Sequence, residues 1–287
     1  MKKFYLLLLL IGISFCCRAN DIDSIKTIDD VRYFLKHILK AKDNVDFFAE
    51  PKVDSTFKLS RISFLKIDLN NDGLTDLIVN GTYLFAVVDD GRGFYKVSFI
   101  DRGTFMSKKF VLADIDTSQK QPRIIIAPFN RYKKLVVDSA VFDTLIIKYD
   151  GFIEYSAKAD TSPIEKISLT TTNCFGRCPV FKLSVNCDGN AIYNAIEYND
   201  RKGIFKSKID TASLNRLLYF TEYIRAKSLK DQYKVNWTDD QTADLTITYK
   251  DGTVKTISDY GLVGTFGLAR IYNIFLKIRK TGKWKRV

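Results

Sequence analysis

The sequence is short of histidine and of long apolar runs, and each shortage excludes a class of function. Of the 287 residues only His37 is a histidine. A serine or cysteine triad needs a histidine base, and His37 lies off the apolar stripe of its predicted helix, on the side that faces water. The longest apolar run, residues 4–15, is about twelve residues, whereas a membrane-spanning helix needs about 20. We therefore predict no catalytic triad and no transmembrane span in the mature chain.

The apolar run has the features of an export signal. Two lysines precede it, and the small residues Cys17 and Ala19 follow it at the spacing that favours cleavage after Ala19. We predict that residues 1–19 are a signal peptide and that the protein is periplasmic or associated with the outer membrane. The alternative is a lipoprotein signal with the lipid on Cys16 or Cys17, but the bulky Phe15 stands where that signal prefers a small residue.

The charge balance is basic throughout. The formal net charge is +12, and it becomes +9 once residues 1–19 are removed. A basic exported protein favours anionic partners by long-range attraction. The charge is dense only in the tail from Lys277 to Arg286, which we interpret either as a polyanion-binding segment or as a solvated helix end. Apart from this possible polyanion contact, we predict that the partner is an unidentified envelope protein, lipid or glycan.

The length of the mature chain predicts two domains joined by a linker. The first, residues 20–156, begins with an amphipathic helix over 27–42 that Thr27 caps. It continues as β-rich runs separated by turns, which is typical of an antiparallel meander. The linker is 157–163, and the second domain, 164–287, has the order ββββ-α-ββ-α. The predicted fold class is therefore α+β.

An acidic loop at residues 68–76 places oxygen atoms at the spacing that calcium needs. The sequence Asp68-Leu-Asn-Asn-Asp-Gly-Leu-Thr-Asp76 offers a glycine for the sharp turn. The candidate ligands are the side chains of Asp68, Asn70, Asp72 and Asp76 and the carbonyl of Leu74. Position 12 is Val79 rather than glutamate, and no helical pattern flanks the loop, so it is not an EF-hand.

This loop resembles the Asp-rich loops of FG-GAP and VCBS-type repeats, which join two strands. The resemblance implies a structural Ca²⁺ ion. The alternative is an Asn/Asp/Gly turn that needs no ion. Mutual repulsion of three close carboxylates favours the metal.

Three cysteines lie close together in the second domain: Cys174, Cys178 and Cys187. Close cysteines in an exported protein are expected to oxidise, and we favour a 174–178 disulfide, although pairing with Cys187 stays open. A redox role for Cys174 and Cys178 is the alternative. It is disfavoured because the spacing is three residues and a strand, not a helix, follows.

The segment Cys174-Phe-Gly-Arg-Cys-Pro179, the Asp188-Gly189 turn and Asp259-Tyr-Gly261 resemble the domain-of-unknown-function family 6438. The resemblance covers residues 164–281 approximately. Cys187 departs from the family pattern. Membership implies a compact exported bacterial module without an established chemistry.

We conclude from the sequence that the protein is an exported binding or structural module, more consistent with a non-enzyme than with an enzyme. The alternative function is a periplasmic thiol–disulfide protein using Cys174 and Cys178. Asp239, Asp240 and Asp259 offer carboxylates for acid–base chemistry. Because they flank predicted strand ends, we expect them to be solvated instead.

Overall fold

Three β-sheets and three α-helices make up the regular structure of the residues described here. The computed structural model describes residues 20–41, 62–81, 83–102, 109–130, 135–136, 142–148 and 151–287. The predicted signal peptide, residues 1–19, lies outside the described residues. The architecture is α+β and strand-rich, as the sequence predicted.

The N-terminal helix is shorter than predicted. Helix α1 is Ile28–Tyr33, and it continues as one π-helical segment, Phe34–Ile38. The Thr27 hydroxyl caps α1 by accepting from the amide of Asp30, and the Asp30 carboxylate accepts from the amide of Thr27. A 3₁₀ turn, Asp21–Ser24, precedes it. Residue 42, the predicted end of the helix, is outside the described residues.

The first sheet is a four-stranded antiparallel meander in the order β1-β2-β3-β4. The strands are β1 (Phe64–Ile67), β2 (Asp76–Asn80), β3 (Leu84–Asp89) and β4 (Tyr95–Phe99). Every residue of β2 is buried because both faces of this strand are covered. Leu77 and Val79 pack on the N-terminal helical segment, whereas Ile78 packs toward the second sheet.

The second sheet completes the predicted β-rich region, which therefore forms two sheets. Its strands are β5 (Lys109–Asp116), β6 (Arg123–Asn130), β7 (Leu135–Val136), β8 (Asp143–Ile147) and β9 (Phe152–Glu154). The order is β5-β6-β8-β9, with β7 also pairing with β6. Strand β9 was not predicted, because three residues are too few to show an alternating pattern.

The C-terminal part contains the predicted order ββββ-α-ββ-α with two short strands added. Its elements are β10 (Ile164–Thr171), β11 (Val180–Asn186), β12 (Asn190–Glu197), β13 (Gly203–Lys208), α2 (Thr211–Tyr223), β14 (Gln232–Lys234), β15 (Thr242–Tyr249), β16 (Val254–Tyr260), α3 (Phe266–Thr281) and β17 (Lys285–Arg286). They form one eight-stranded sheet, β14-β16-β15-β10-β11-β12-β13-β17. Only the β14–β16 pair is parallel.

Helices α2 and α3 cover one face of this third sheet. Strand β15 alternates between buried and partly exposed residues, so that Leu245 and Ile247 point into the core while Thr246 lies on the other face. Leu217 of α2 and Phe275 of α3 pack on the buried face. The opposite face carries no helix in the described structure, and its residues are largely polar.

The two halves of the chain share core contacts. Ile146 of β8 and Ile153 of β9 pack into the C-terminal core. In return, Phe266 at the start of α3 packs into the core between the first two sheets. The predicted linker 157–163 thus follows a strand that already contributes to the C-terminal core. The division into two domains at that linker remains a prediction.

Candidate functional site

The predicted calcium loop connects β1 to β2 and turns its polar side chains toward its own backbone. One carboxylate oxygen of Asp68 accepts hydrogen bonds from the amide of Asn71 at 2.6 Å, and the other accepts from Gly73 at 2.9 Å. Asn71 and Gly73 have φ angles of 61° and 88°, the left-handed region that glycine and asparagine tolerate best. These two residues fold the loop around the carboxylate of Asp68.

Asn70 and Asp72 form the middle of the loop. The Asn70 side-chain oxygen accepts from the amide of Asp72 at 3.1 Å, and its nitrogen donates to the Asp72 carboxylate at 2.8 Å. The other Asp72 oxygen accepts from the amide of Leu74 at 2.9 Å. Asp68, Asn70 and Asp72 are therefore linked by hydrogen bonds within one short loop, and their role as metal ligands stays a prediction.

Asp76 differs from the other predicted ligands because it is fully buried. Its two oxygens accept from the amide of Leu69 at 2.9 Å and from the amide of Asp89 at 2.9 Å. Burial, together with the nearby negative charges of Asp72 and Asp68, raises the pKa of Asp76 to about 7. Asp76 thus fixes the start of the loop to the end of β3.

Two residues that the sequence did not indicate complete this region. The Asn20 side chain donates to the carbonyl of Thr75 at 2.7 Å and to the Asp89 carboxylate at 2.9 Å. Asp89 is buried and also accepts from the amide of Gly91 at 2.8 Å. In the sequence, Asp89 begins the turn Asp89-Asp-Gly-Arg-Gly93. Nothing local indicates that this turn contacts the loop at Asp76.

The loop is polar and borders a cavity of about 550 Å³ that Asn70, Asp72 and Lys96 help to line. Within the described parts of the chain, no group of three His, Cys, Asp or Glu side chains is gathered as a metal site. Instead, the side-chain oxygens of Asp68, Asn70 and Asp72 accept hydrogen bonds from backbone amides of the same loop. A cation held here would need the Asn70 and Leu74 oxygens as well as the carboxylates, which is the oxygen-rich environment that calcium takes.

The cysteine pairing that sequence left open is 174–178. Cys174 and Cys178 are bonded, with their Cα atoms 5.7 Å apart, and Cys187 is a free, partly buried thiol. The disulfide closes the loop between β10 and β11, and the amide of Phe175 in that loop donates to the carbonyl of Asp239 at 2.8 Å. This stretch, which is described throughout, begins no helix that would lower the pKa of a thiol.

Reducing this disulfide is expected to lower the free energy of unfolding by about 2 kcal/mol, because the bridge restricts the unfolded chain. The loss is modest because the loop that the bridge closes is short. The double substitution Cys174→Ser and Cys178→Ser should cause the same loss and abolish the response to reductant in urea unfolding. Cys187→Ser should leave that response intact. A double variant that still responds to reductant would contradict the 174–178 pairing.

Asp259, predicted to be solvated, is buried, and that expectation is wrong. Its carboxylate accepts from the amides of Val263 at 2.8 Å and Gly264 at 3.1 Å and from the Tyr272 hydroxyl at 3.2 Å. Burial raises the pKa of Asp259. Asp240 is engaged elsewhere, since it accepts from the indole nitrogen of Trp237 at 3.2 Å. Asp259 therefore holds the turn between β16 and α3.

A second group of polar residues joins the two halves of the chain. Glu154 of β9 accepts from the amides of Phe266 at 2.6 Å and Gly267 at 2.9 Å, at the N-terminus of α3. Arg102 donates to the carbonyl of Gly264 at 3.1 Å and to the Asp143 carboxylate at 2.9 Å. The sequence does not indicate these residues, because their partners are far away in the chain.

These features define an α+β chain whose C-terminal sheet and helices carry a disulfide-closed loop and whose N-terminal sheets carry an acidic loop. Residues 165–279 match the family model described as Domain of unknown function (DUF6438). The match confirms the family predicted for the C-terminal part. The likeness of residues 68–76 to FG-GAP and VCBS-type loops stays a prediction. No curated protein and no solved structure matches the chain.

No helix in the described ranges is both long and apolar enough to cross a membrane.

Proposed function

We propose that the protein is an exported, non-enzymatic binding or structural module whose N-terminal part is stabilised by calcium at the acidic loop 68–76. The observation that carries the proposal is that Asp68, Asn70 and Asp72 lie on one hydrogen-bonded loop, adjoining the buried Asp76. The role of the ion would be structural, because the loop joins two strands of one sheet.

Electrostatics support a cation at this loop. Three carboxylates lie within nine residues, and like charges this close disfavour their common ionised state. The nearby charges of Asp72 and Asp68 are among the causes that raise the pKa of Asp76. A calcium ion reverses this penalty, since it attracts all three carboxylates and accepts the neutral oxygens of Asn70 and Leu74 as further ligands.

Export is supported by the disulfide as well as by the N-terminal sequence. A Cys174–Cys178 bridge persists in an oxidising compartment and is rare in the reducing cytosol. Two lysines followed by an apolar run and small residues supply the matching export signal.

A non-enzymatic role is supported by the positions of the residues best suited to catalysis. His37, the sole histidine, is exposed and packs on Tyr33 with ring centroids 4.5 Å apart. Asp259 is occupied by three hydrogen bonds within the protein. None of these contacts places the side chain of His37 or Asp259 beside the disulfide or the acidic loop.

Thermal unfolding in calcium and in chelator tests the proposal. With calcium at about 100 times its Kd, binding contributes about 2.7 kcal/mol, so the Tm should rise by about 5–10 °C. Asp72→Ala should remove most of this rise, because it deletes a ligand on the exposed side of the loop. The measurement is calorimetry with calcium, with magnesium and with chelator.

Asp188→Ala is the matched control. Asp188 also accepts from a backbone amide two residues on, that of Asn190 at 2.8 Å, but it lies in the β11–β12 turn of the other half. This variant should keep the full calcium response. Identical melting curves in calcium and in chelator for the unmodified protein would show that the loop is a turn without an ion.

A further inference from the structure

The face of the third sheet that the helices leave open is basic at its β11-β12-β13-β17 end. The strand register aligns Ser184, Ile192, Lys206 and Lys285 in one row across the four strands. The next row contains Lys182, Asn194 and Ile204. Because residues directly opposite one another point to the same face, these side chains form one continuous surface. We call it the lysine face.

The charge on the lysine face is unbalanced. Lys206 and Lys285 are cross-strand partners, an arrangement in which like charges repel. Both are exposed, and neither has an acidic partner in the described structure. Lys208 and Lys283 border the same shallow groove of about 660 Å³, and none of the side chains that line the groove is acidic. Lys208 donates to the backbone carbonyl of Asp188, not to a carboxylate.

Aliphatic side chains lie among these lysines. Ile192 is 57% exposed, Ile204 is 50% exposed and Val287 is 73% exposed. Val287 is held beside Ile204 by a hydrogen bond from its amide to the Ile204 carbonyl at 3.0 Å. β-Branched aliphatic residues on a solvated sheet face, alternating with cations, form a surface that is amphipathic within a few ångströms.

We propose that the lysine face binds the surface of a bilayer that contains anionic phospholipid. Lysine ammonium groups pair with lipid phosphates, and each basic residue near such a surface strengthens binding. The neighbouring aliphatic groups reach the boundary between headgroups and acyl chains, where burial of apolar area adds to the attraction. The ligand chemistry is therefore phosphate together with hydrocarbon.

The composition of the groove favours lipid over a nucleic acid. Proteins that bind single strands place aromatic or arginine side chains where bases can stack. The residues lining this groove include lysine, serine, asparagine and aliphatic side chains but no aromatic side chain and no arginine. Flat lipid headgroups need no stacking surface.

The lysine face also changes the interpretation of the basic tail. From the sequence alone, the tail is either a polyanion-binding segment or a solvated helix end. In the structure α3 ends at Thr281, and the following residues form β17 on β13. Lys283 and Lys285 of the tail thereby join the lysines of β13, whereas Lys277 and Lys280 belong to α3. This inference names a partner for the proposed binding role and rests on that role, but it does not depend on calcium.

Sedimentation with vesicles tests the inference on the full chain. We expect binding to vesicles of phosphatidylcholine with about one third phosphatidylglycerol, weakened by 0.5 M salt, and much weaker binding to pure phosphatidylcholine. The double charge reversal Lys206→Glu and Lys285→Glu should lower the partition coefficient at least about tenfold. Ile192→Ser with Ile204→Ser should lower it at constant charge.

The matched control reverses the same number of charges at the far edge of the sheet, with Lys230→Glu and Lys234→Glu next to and in β14. All variants keep residues 4–15, so any contribution of that apolar run is common to them. Equal loss in the control pair, or no loss in the lysine-face pair, would overturn the inference. Polyphosphate is a second probe. The inference would also be overturned if the lysine-face pair lost binding to polyphosphate while the isoleucine substitutions left vesicle binding unchanged, because the face would then bind phosphate without hydrocarbon.

Repeating the sedimentation in calcium and in chelator separates the two proposals. Vesicle binding that persists in chelator supports the lysine face whatever the acidic loop binds. Vesicle binding that appears only with calcium and is lost in Asp72→Ala would assign the interaction to the acidic loop and overturn the inference.

Discussion

A fragment of residues 164–287, the whole of the predicted second domain, should unfold with a free energy about 3–6 kcal/mol lower than that of a fragment of residues 142–287. Ile146 and Ile153 are buried in the C-terminal core, and burying such a side chain fully contributes about 1.5–3 kcal/mol. The shorter fragment also lacks Glu154, which accepts from the first amides of α3. Urea unfolding of the two fragments measures the difference.

A fragment of residues 157–287 is the control for this comparison. It adds the predicted linker, including the amide of Asp160 that donates to the Glu222 carbonyl at 2.8 Å, but not β8 or β9. We expect it to resemble the shorter fragment. If all three fragments are equally stable, the domain boundary lies at the linker and the contacts of Ile146 and Ile153 are dispensable.

Asp259→Ala in the full chain should lower the free energy of unfolding by about 3–5 kcal/mol. The substitution leaves the amides of Val263 and Gly264 and the Tyr272 hydroxyl without their acceptor in a buried place. Each unsatisfied buried polar group costs about 1–3 kcal/mol. Chemical denaturation followed by circular dichroism measures the loss.

Asp259→Asn separates the hydrogen bonds from the charge. The asparagine oxygen can accept from both amides and its nitrogen can donate to the Tyr272 oxygen, so the loss should be only about 1 kcal/mol. A loss as large as that of the alanine variant would show that the negative charge itself is needed.

Comparing the unmodified protein with Asp259→Asn also predicts how the free energy of unfolding depends on pH. Burial raises the pKa of Asp259 in the folded state above its ordinary value of 3.8. The folded state therefore binds more protons than the unfolded state between the two pKa values, and the contribution of Asp259 to stability is lost as the pH rises through its folded pKa. Asp259→Asn should have a correspondingly smaller decline of stability above pH 4.

Where a local pattern determines an element, the sequence predicted it well. Strand β15 alternates over eight residues, and the turn after it contains Asp251, which accepts from the amide of Thr253 at 2.9 Å, and Gly252 with a φ of 84°. Asp210 caps α2 by accepting from the amide of Ser213 at 2.9 Å. These features depend on neighbours within a few residues, so the order ββββ-α-ββ-α could be predicted.

Elements that depend on distant partners could not be predicted. Strands β9, β14 and β17 contain three, three and two residues, and each forms because a longer strand presents an edge. Glu154 meets the amide of Phe266 across 112 residues.

The candidate site shows the same division. Asp68, Asn70 and Asp72 are candidates because of their spacing, whereas Asn20 and Asp89 could not be predicted, because only the tertiary fold brings them to Thr75 and to Asp76.

The short end strands have a consequence for self-association. An exposed sheet edge offers unpaired amides and carbonyls to a second chain. Here the longer strands β13 and β16 are each flanked by a strand of only two or three residues, β17 and β14. The outermost residues include Lys234 and Lys285, and a charged edge resists pairing with its own copy. The two shortest elements of the C-terminal sheet thus help to keep it from assembling edge to edge into larger aggregates.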